Sequence, residues 1–268
     1  MTNTFTLTKP LFSVTEALLH SINRICAGQG ISYFIAGATA REILIHHVYG
    51  RSVGRRTRDI DFAVFVEGWG RFDALKNAFT AAGAVAIKGN VHRLILNDVE
   101  LDIIPFGGVA EGNKVAWPPD REVIMAVDGF EEAFKHTVLV ELQSGENIPL
   151  CSLPGLAMLK LFAWRDRGAA NAKDASDLYK IISEYGVIEG ERIYESPVEG
   201  SEVGWDPVRM GAILLGNDIA MICAGGLKAE LLKLNIEHLS DAIVRQSMTE
   251  DAEYIGQILN DFWFGIRS

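Results

Sequence analysis

The stretch Arg58-Asp59-Ile60-Asp61-Phe62 runs directly into the apolar residues Ala63-Val64-Phe65-Val66, which is the pattern of a buried strand. On a strand, side chains two positions apart project from the same face, roughly 6.5–7 Å apart along it. Two carboxylates held that close repel each other and are costly to desolvate, and a divalent cation between them removes both costs. The alternative is that Asp59 and Asp61 end a loop and remain in solvent.

A short turn of small residues lies upstream of this strand. Residues 31–36 have a strand pattern, Gly37-Ala38-Thr39 follows, and residues 40–48 have a helical pattern. The N–H groups at a helix start and the helix dipole favour an anion at the same place. The segment therefore predicts an anion site, with an ordinary strand–helix turn as the alternative.

A hairpin is predicted downstream, with strands at residues 94–96 and 99–104 around an Asn97-Asp98 turn. Asp102 lies in the second strand among apolar residues, where an unpartnered carboxylate is expensive. Two explanations stay open. Asp102 shares a metal ion with Asp59 and Asp61, or it forms a salt bridge with a nearby arginine.

Arginines are concentrated just before the Asp pair, at positions 51, 55, 56 and 58, with no acidic residue among them. The guanidinium group matches phosphate oxygens in a bidentate way. This segment indicates a phosphate contact, or else a solvated loop that balances the local carboxylates.

Together these motifs resemble the DNA polymerase beta-like nucleotidyltransferase superfamily, which carries a small-residue turn, an Asp-x-Asp pair and a distant third acid. More narrowly, residues 30–180 are similar to nucleotidyltransferases grouped with the AbiEii/AbiGii abortive-infection toxins. The matching segments besides the three acids are Ala40-Arg41-Glu42, His92-Arg93-Leu94, Pro105-Phe-Gly-Gly108, Trp117-Pro-Pro-Asp120, Leu159-Lys160-Leu161-Phe162-Ala163-Trp164-Arg165-Asp166-Arg167 and Lys173-Asp174-Ala175-Ser176-Asp177-Leu178. The sequence departs from the superfamily at Ala38, where Gly or Ser is usual, and in a longer gap before Asp59.

The resemblance implies an α/β (α+β) fold class with a mixed sheet flanked by helices, followed by a helical C-terminal subdomain. We expect a catalytic domain over residues 1–150 and a helical domain over 151–268. Asp59 and Asp61 are expected to hold two Mg²⁺ ions, with Mn²⁺ as an alternative. Asp102 is expected to share one ion and to act as general base. These are the expected catalytic and metal-binding residues.

The resemblance also implies which residues contact the nucleotide. Gly37, Ala38 and Thr39 are expected to cradle the β- and γ-phosphates. Further phosphate contacts are expected from Arg41, Arg58 and Lys160. Lys160 lies in an apolar helical run. The alternative to a phosphate contact is that its aliphatic side chain runs along the apolar surface and places the ammonium group in solvent. Two interpretations are open for three further residues. They face a triphosphate, or they are charges at a sheet edge: Lys88, His92 and Arg93.

The implied activity moves an NMP from an NTP to an acceptor hydroxyl on RNA, tRNA or a protein, in the toxin of a toxin–antitoxin or phage-defence system. A cognate antitoxin is then an expected partner. One alternative is a small-molecule nucleotidyltransferase of the antibiotic-modifying type. Another is a catalytically silent nucleotide-binding module, which Ala38 permits.

Composition limits these choices. The chain of 268 residues is 49% hydrophobic and 22% charged, with a net charge of −10. An acidic chain is a poor general binder of nucleic acid, so RNA contact requires a local basic patch such as residues 51–58. Three scattered cysteines, no signal peptide and no apolar run of about 20 residues indicate a cytoplasmic protein without a membrane span.

The remaining patterns predict the order of elements. Residues 1–11 are expected to be a polar lead-in, and residues 186–206 an acidic linker. His46 and His47 are expected at the surface or as capping residues. Trp117-Pro118-Pro119-Asp120 is expected to be rigid and extended, either lining a pocket or covering the sheet. Helices are predicted at 12–27, 72–82, 130–134, 171–185, 208–224, 227–239 and 252–264, and a further helix is predicted to start at Leu153-Pro154.

Overall fold

The computed structural model describes residues 3–52, 54, 57–168, 172–195, 197–247 and 251–268. The chain forms two compact units, Met1–Ser152 and Leu153–Ser268. The first unit combines strands and helices, and the second is helical. The predicted fold class, a mixed sheet flanked by helices and followed by a helical C-terminal region, is confirmed. In the described part of the chain, no helix has both the length and the apolar character needed to cross a membrane.

The first unit is built on two sheets. The strands in chain order are β1 Thr4–Thr6, β2 Tyr33–Ile35, β3 Asp59–Val66, β4 Val85–Ala86, β5 Arg93–Leu96, β6 Val99–Gly107, β7 Ala110–Glu111, β8 Lys114–Ala116, β9 Ile124–Ala126, β10 Thr137–Glu141 and β11 Asn147–Cys151. The large sheet has the order β1-β10-β11-β2-β3-β6-β5-β4, and β7, β8 and β9 form a small sheet. β3 lies antiparallel to β2 and parallel to β6.

Helices connect and cover the strands of this unit. They are α1 Ser13–Gly28, α2 Gly37–Glu42, α3 Trp69–Ala81 and α4 Phe130–Lys135. A π-helical segment, Ile43–Val48, directly continues α2. α1 forms because Leu18, Leu19 and Ile22 recur at helical spacing, and all three are buried.

The alternation of β3 divides its side chains between two environments. Ile60, Phe62, Val64 and Val66 are buried, and Phe62 packs on Phe79 of α3. On the other face, Phe65 stacks with Phe134 of α4. Because side chains alternate along a strand, Asp59 and Asp61 share the face of Phe65. Aromatic packing covers the far half of this face, and the carboxylates occupy its beginning.

The second unit is a group of helices. They are α5 Leu153–Arg167, α6 Lys173–Glu189, α7 Pro207–Ile222, α8 Leu227–Leu231, α9 Ile236–Gln246 and α10 Ala252–Arg267. Two short 3-10 segments, Gly190–Glu195 and Gly200–Val203, lie between α6 and α7. α7 begins at Pro207 because the Asp206 side chain accepts hydrogen bonds from the N–H groups of Val208 and Arg209, at 2.8 and 3.3 Å.

Several local predictions were wrong in the first unit. The expected polar lead-in contains β1, which pairs with β10 through Thr4–Thr6. The helix expected from residue 40 begins at Gly37. His47 is not at the surface: it is 4% exposed, and its carbonyl accepts from the N–H groups of Thr8 and Lys9. The Trp117-Pro118-Pro119 segment turns, with a cis Pro118–Pro119 bond, instead of running extended.

Two predictions also failed in the second unit. The expected linker at 186–206 is largely helical, because Tyr185 and Arg192 both bind the buried Asp218 of α7 and so tie this stretch down. The single helix expected at 227–239 is two helices. The break falls before Asn235, whose side chain accepts from the N–H of His238 at 3.0 Å and begins α9.

Candidate active site

Strand register brings three carboxylates together in the first unit. Asp61 of β3 lies opposite Asp102 of β6, and Asp59 lies opposite Glu100. One oxygen from each of Asp59, Asp61 and Asp102 lies within 4.8 Å of the others. Asp102 is 8% exposed, whereas Asp59 and Asp61 are half-buried. We call these three residues the carboxylate cluster.

The donor set of the carboxylate cluster fits a hard divalent cation. All three groups offer carboxylate oxygen, which Mg²⁺ and Mn²⁺ prefer. Three negative charges this close repel strongly where water is partly excluded. A bound cation would relieve that repulsion, and the half-buried positions of Asp59 and Asp61 leave access from solvent.

Arg93 of β5 partly neutralises the cluster. It lies opposite Asp102 in the hairpin register. Its guanidinium donates to both Asp102 oxygens, each at 2.6 Å, and to the Glu100 Oε2 atom at 2.6 Å. The hydrogen bond to Asp102 raises the pKa of Arg93 above its ordinary value, and the charges of Asp102, Glu100 and Asp59 act in the same direction against burial. The salt bridge to an arginine, one of the two explanations considered for Asp102, is therefore present, and the arrangement of the three carboxylates is also compatible with a metal ion.

The Gly37 turn packs directly on Asp61. Gly37 has φ +61°, and a Cβ atom there would overlap the Asp61 carboxylate, 2.8 Å from its Cγ atom. The Ala36 N–H donates to the Asp61 carbonyl at 2.8 Å. Only glycine therefore fits between this turn and the Asp61 side chain, which explains the small residue at the start of α2.

Thr39 fixes the other aspartate. It is 5% exposed, and its hydroxyl donates to the Asp59 carbonyl at 2.8 Å. Ala38 is also 5% exposed. The side chains of the predicted phosphate-binding turn thus face the protein, so any phosphate contact from Ala38 and Thr39 would come from backbone N–H groups.

The predicted arginine contacts have different environments. Arg41 is 1% exposed and lies within the first unit. Arg58 is exposed immediately before β3. Next to it, the Thr57 hydroxyl donates to the Asp59 Oδ1 atom. Arg51 is exposed as well. Arg55 and Arg56, which were also predicted to contact phosphate, are outside the described residues.

Lys160 belongs to the second unit, where it binds two buried acids. Its ammonium lies 2.8 Å from Asp174 and 2.8 Å from Asp177. Arg167 also binds Asp174, at 2.7 Å. Burial raises the pKa of Asp174, but the hydrogen bonds and charges of Arg167 and Lys160 outweigh it and leave the pKa below the ordinary value. This ion-pair cluster differs from both expectations for Lys160, a solvent-exposed ammonium and a phosphate contact.

Lys88 and His92 complete the predicted set. Lys88 is exposed. His92 packs against Trp117 with ring centroids 5.3 Å apart. Burial lowers the pKa of His92 despite the opposing charge of Asp102. Trp117 itself is 1% exposed and packs on Trp69 and Phe72 of α3.

A cavity of about 370 Å³ adjoins Asp59. Leu11 and Phe12, from the segment expected to be a lead-in and from the start of α1, form part of its apolar wall. Arg58 and Asp98 add polar groups to the lining. This cavity could not be predicted from the sequence, because its walls come from segments far apart in the chain. Glu100 was not predicted either, although the spacing of Glu100 and Asp102 repeats that of Asp59 and Asp61.

The mixed sheet brings three carboxylates together on its central strands, and the chain is an enzyme of the nucleotidyltransferase class. The model of the family described as nucleotidyl transferase AbiEii toxin, type IV toxin–antitoxin system, matches residues 24–196. The chain belongs to that family, and the resemblance seen in the sequence is confirmed. No curated protein sequence matches the chain.

Solved structures of other nucleotidyltransferases resemble the chain at low identity. ANT(2'')-Ia in complex with adenylyl-2''-tobramycin is 15% identical with a TM-score of 0.41, covering 76% of this chain and 97% of that chain. An antigenic nucleotidyltransferase-like protein from Paracoccidioides brasiliensis is 15% identical with a TM-score of 0.41, covering 65% and 78%. A tRNA nucleotidyltransferase complexed with a primer tRNA and an ATP analog is 12% identical with a TM-score of 0.26, covering 92% and 82%.

Proposed function

We propose that the enzyme transfers an NMP group from an NTP to a hydroxyl of RNA, tRNA or a protein. The observation that carries the proposal is the carboxylate cluster, with three oxygens within 4.8 Å beside the Gly37 turn. We assign catalysis to the first unit, Met1–Ser152, as the nucleotidyltransferase domain. The unit Leu153–Ser268 is then the helical C-terminal domain.

Asp59 and Asp61 would hold two Mg²⁺ ions, and Asp102 would share one of them; Mn²⁺ suits the same oxygen ligands. When bound, such ions lower the pKa of an attacking hydroxyl and neutralise a departing pyrophosphate. The contribution of the chain is to hold the ligands in place. Thr39 fixes the backbone at Asp59, and Arg93 fixes the Asp102 carboxylate.

Asp102 is our candidate for the group that accepts the proton of the acceptor hydroxyl. Both of its oxygens already accept a hydrogen bond from Arg93. Protonation of Asp102 would therefore weaken one of these bonds, and the contact of Arg93 with Glu100 would keep the guanidinium in place.

For the triphosphate, we propose the backbone of Gly37, Ala38 and Thr39 together with the exposed Arg58. The free N–H groups of a helix start favour phosphate oxygens, and α2 begins at Gly37. Arg41 and Lys160 are weaker proposals. Arg41 is buried, and Lys160 is bound by Asp174 and Asp177.

A role as the toxin of a type IV toxin–antitoxin system, with a cognate antitoxin, rests on the description of the family. We propose that it acts in the cytoplasm, because Cys26, Cys151 and Cys223 are all free thiols, as is typical of a reducing compartment. Growth of a bacterial host during expression tests the toxin role. We expect wild type to slow growth and Asp61→Asn to restore it.

The cavity beside Asp59 favours a second candidate function, transfer to a small molecule. Its volume of about 370 Å³ is within the range of small-ligand pockets. To distinguish the two candidate functions, the enzyme and a labelled NTP are incubated in parallel reactions with total RNA, with cell protein or with hydroxylated small molecules. Label on RNA or protein supports the first proposal, and label on a small molecule alone supports the second.

The donor site is tested by thermal unfolding with each of the four NTPs, with and without Mg²⁺, on wild type and Asp61→Asn. A ligand at 100 times its Kd adds about 2.7 kcal/mol to the free energy of unfolding. We expect a Mg²⁺-dependent rise in Tm for at least one NTP in wild type, and its loss in Asp61→Asn. Asp73→Asn, on the exposed face of α3, is the matched control. An equal rise in Asp61→Asn would refute the metal assignment, and no rise with any NTP would contradict NTP as the donor.

A further inference from the structure

The stretch between α6 and α7 presents two exposed aromatic side chains in fixed positions. Tyr194 is 65% exposed and Trp205 is 60% exposed. Their ring centroids lie 6.5 Å apart, with the ring planes tilted by 48°. Together they line a cavity of about 310 Å³ with Pro197, Val198 and Met210. We call this the aromatic groove; it belongs entirely to the second unit.

The backbone holds Trp205 in place although its ring faces solvent. Trp205 has φ +58°, a conformation that non-glycine residues rarely adopt, and its N–H donates to the Gly200 carbonyl at 2.7 Å. Its ring packs closely against Gly200, where an added Cβ would collide with the ring. A backbone that adopts an unfavourable conformation to present a large apolar ring to water indicates a binding role for the ring.

The charge around the aromatic groove is negative. Four exposed glutamates lie in the same stretch, at positions 191, 195, 199 and 202. Glu199 also lines the groove. Arg192 is the one basic residue between 186 and 206, and its guanidinium is bound by Glu189 and Asp218. Glu199 therefore lies beside the aromatic pair, and the same stretch carries three more exposed glutamates, while its one arginine is bound by acids.

Aromatic faces and carboxylates together select for one ligand chemistry. The face of a tryptophan or tyrosine ring attracts a cation, and the planar guanidinium of arginine also stacks on it. Carboxylates pair with the same group in a bidentate way. A nucleic acid is repelled by the surrounding glutamates, and a purely apolar partner would leave them without partners.

We propose that the aromatic groove binds an arginine-rich segment of a partner protein. Arginine side chains would stack on Trp205 and Tyr194, and neighbouring arginines would pair with the surrounding glutamates such as Glu199. Every residue of the groove lies in the second unit and the carboxylate cluster lies in the first, so this proposal does not rest on the proposed function.

The test uses the full-length protein and a synthetic peptide of alternating Arg and Gly, with calorimetry as the readout. The control peptide carries citrulline at each arginine, which keeps the shape and removes the charge. We expect the arginine peptide to bind and the citrulline peptide to bind at least 10-fold more weakly. We also expect Trp205→Ala and Glu199→Gln each to weaken binding of the arginine peptide at least 5-fold.

Phe264→Ala is the matched control, because Phe264 is a similarly exposed aromatic residue of the same unit, at 44%. It is expected to leave peptide binding unchanged. Circular dichroism and Tm establish that each variant is folded, and Trp205→Phe, which keeps a ring at the position, is expected to retain most of the affinity. Wild-type affinity in Trp205→Ala would overturn the proposal, because binding would then be attraction to net negative charge. The proposal would also be overturned if the peptide did not bind and the protein instead self-associated in a way that Trp205→Ala abolishes, because the groove would then bind a second copy of the chain.

Discussion

Replacing Gly37 by alanine tests whether the turn before α2 positions the carboxylate cluster. The added Cβ atom would lie 2.8 Å from the Asp61 Cγ atom and would overlap the carboxylate. Ordinary contacts of this kind are 3.4–4 Å long, so the Asp61 Cγ atom must retreat by at least about 0.6 Å, and the Oδ2 atom, which is closer to the added Cβ, must retreat further. Metal–ligand distances tolerate only about 0.2 Å. We therefore expect Gly37→Ala to lose the Mg²⁺-dependent rise in Tm with NTP.

The substitution also strains the backbone, and this second effect can be measured separately. Gly37 has φ +61°, where alanine costs about 1–2 kcal/mol. Gly112 has the same φ of +61°, and a Cβ there would meet nothing within 4 Å. Gly112→Ala is thus a matched control with the strain and without the collision. At about 2–4 °C per kcal/mol, we expect both variants to lose several degrees in Tm.

The comparison of the two alanine variants shows whether the Gly37 turn positions Asp61. Thermal unfolding is recorded for Gly37→Ala, Gly112→Ala and wild type, each with and without Mg²⁺ and NTP. Gly112→Ala is expected to keep the full ligand-induced rise despite its lower Tm. Nucleotidyl transfer by Gly37→Ala is expected to fall by about 100-fold, as for a misplacement near 1 Å. If Gly37→Ala kept the same ligand response as Gly112→Ala, the turn would not position Asp61.

Two further predictions concern buried charge. Arg93→Gln removes the cation bound to Asp102, so we expect the metal-free protein to lose about 3 kcal/mol of stability. We also expect Mg²⁺ to raise the Tm of Arg93→Gln more than that of wild type, and equal rises would contradict this prediction. The pKa of Asp174 lies below its ordinary 3.8, so its ion pairs stabilise the fold above pH 3.8 and lose that effect as pH falls through the lower folded-state value. Urea unfolding from pH 7 to pH 3 should show wild type losing its advantage over Asp174→Asn at the acidic end; a constant difference would refute this.

The local part of the site could be predicted from the sequence. Asn97 and Asp98 form the hairpin turn with φ of 51° and 60°, the left-handed conformation that these two residue types tolerate. A two-residue turn fixes the register outward from itself. Pairing Leu96 with Val99 leads, three steps further, to Arg93 opposite Asp102. The salt bridge therefore follows from the position of one turn.

The non-local part could not be predicted in the same way. Asp61 lies opposite Asp102 because β3 and β6 are parallel neighbours, and the connection between them includes α3, β4 and β5. Nothing in that connection fixes the register; packing of the sheet against helices does. β1 and β7, of three and two residues, were missed because segments this short need not show an alternation of apolar and polar residues.

The two explanations considered for Asp102, metal ligand and ion pair, do not exclude each other. An ionised carboxylate has about four lone-pair sites, and Arg93 uses one on each oxygen. The remaining sites stay available to a cation, and one Asp102 oxygen lies within 4.8 Å of oxygens of Asp59 and Asp61. Arg93 thus orients Asp102 and offsets part of the repulsion in the cluster without filling it. A carboxylate in an apolar strand beside an arginine is therefore no evidence against a metal site. Under the proposed function, Arg93 would allow the three acids to stay together before a metal binds.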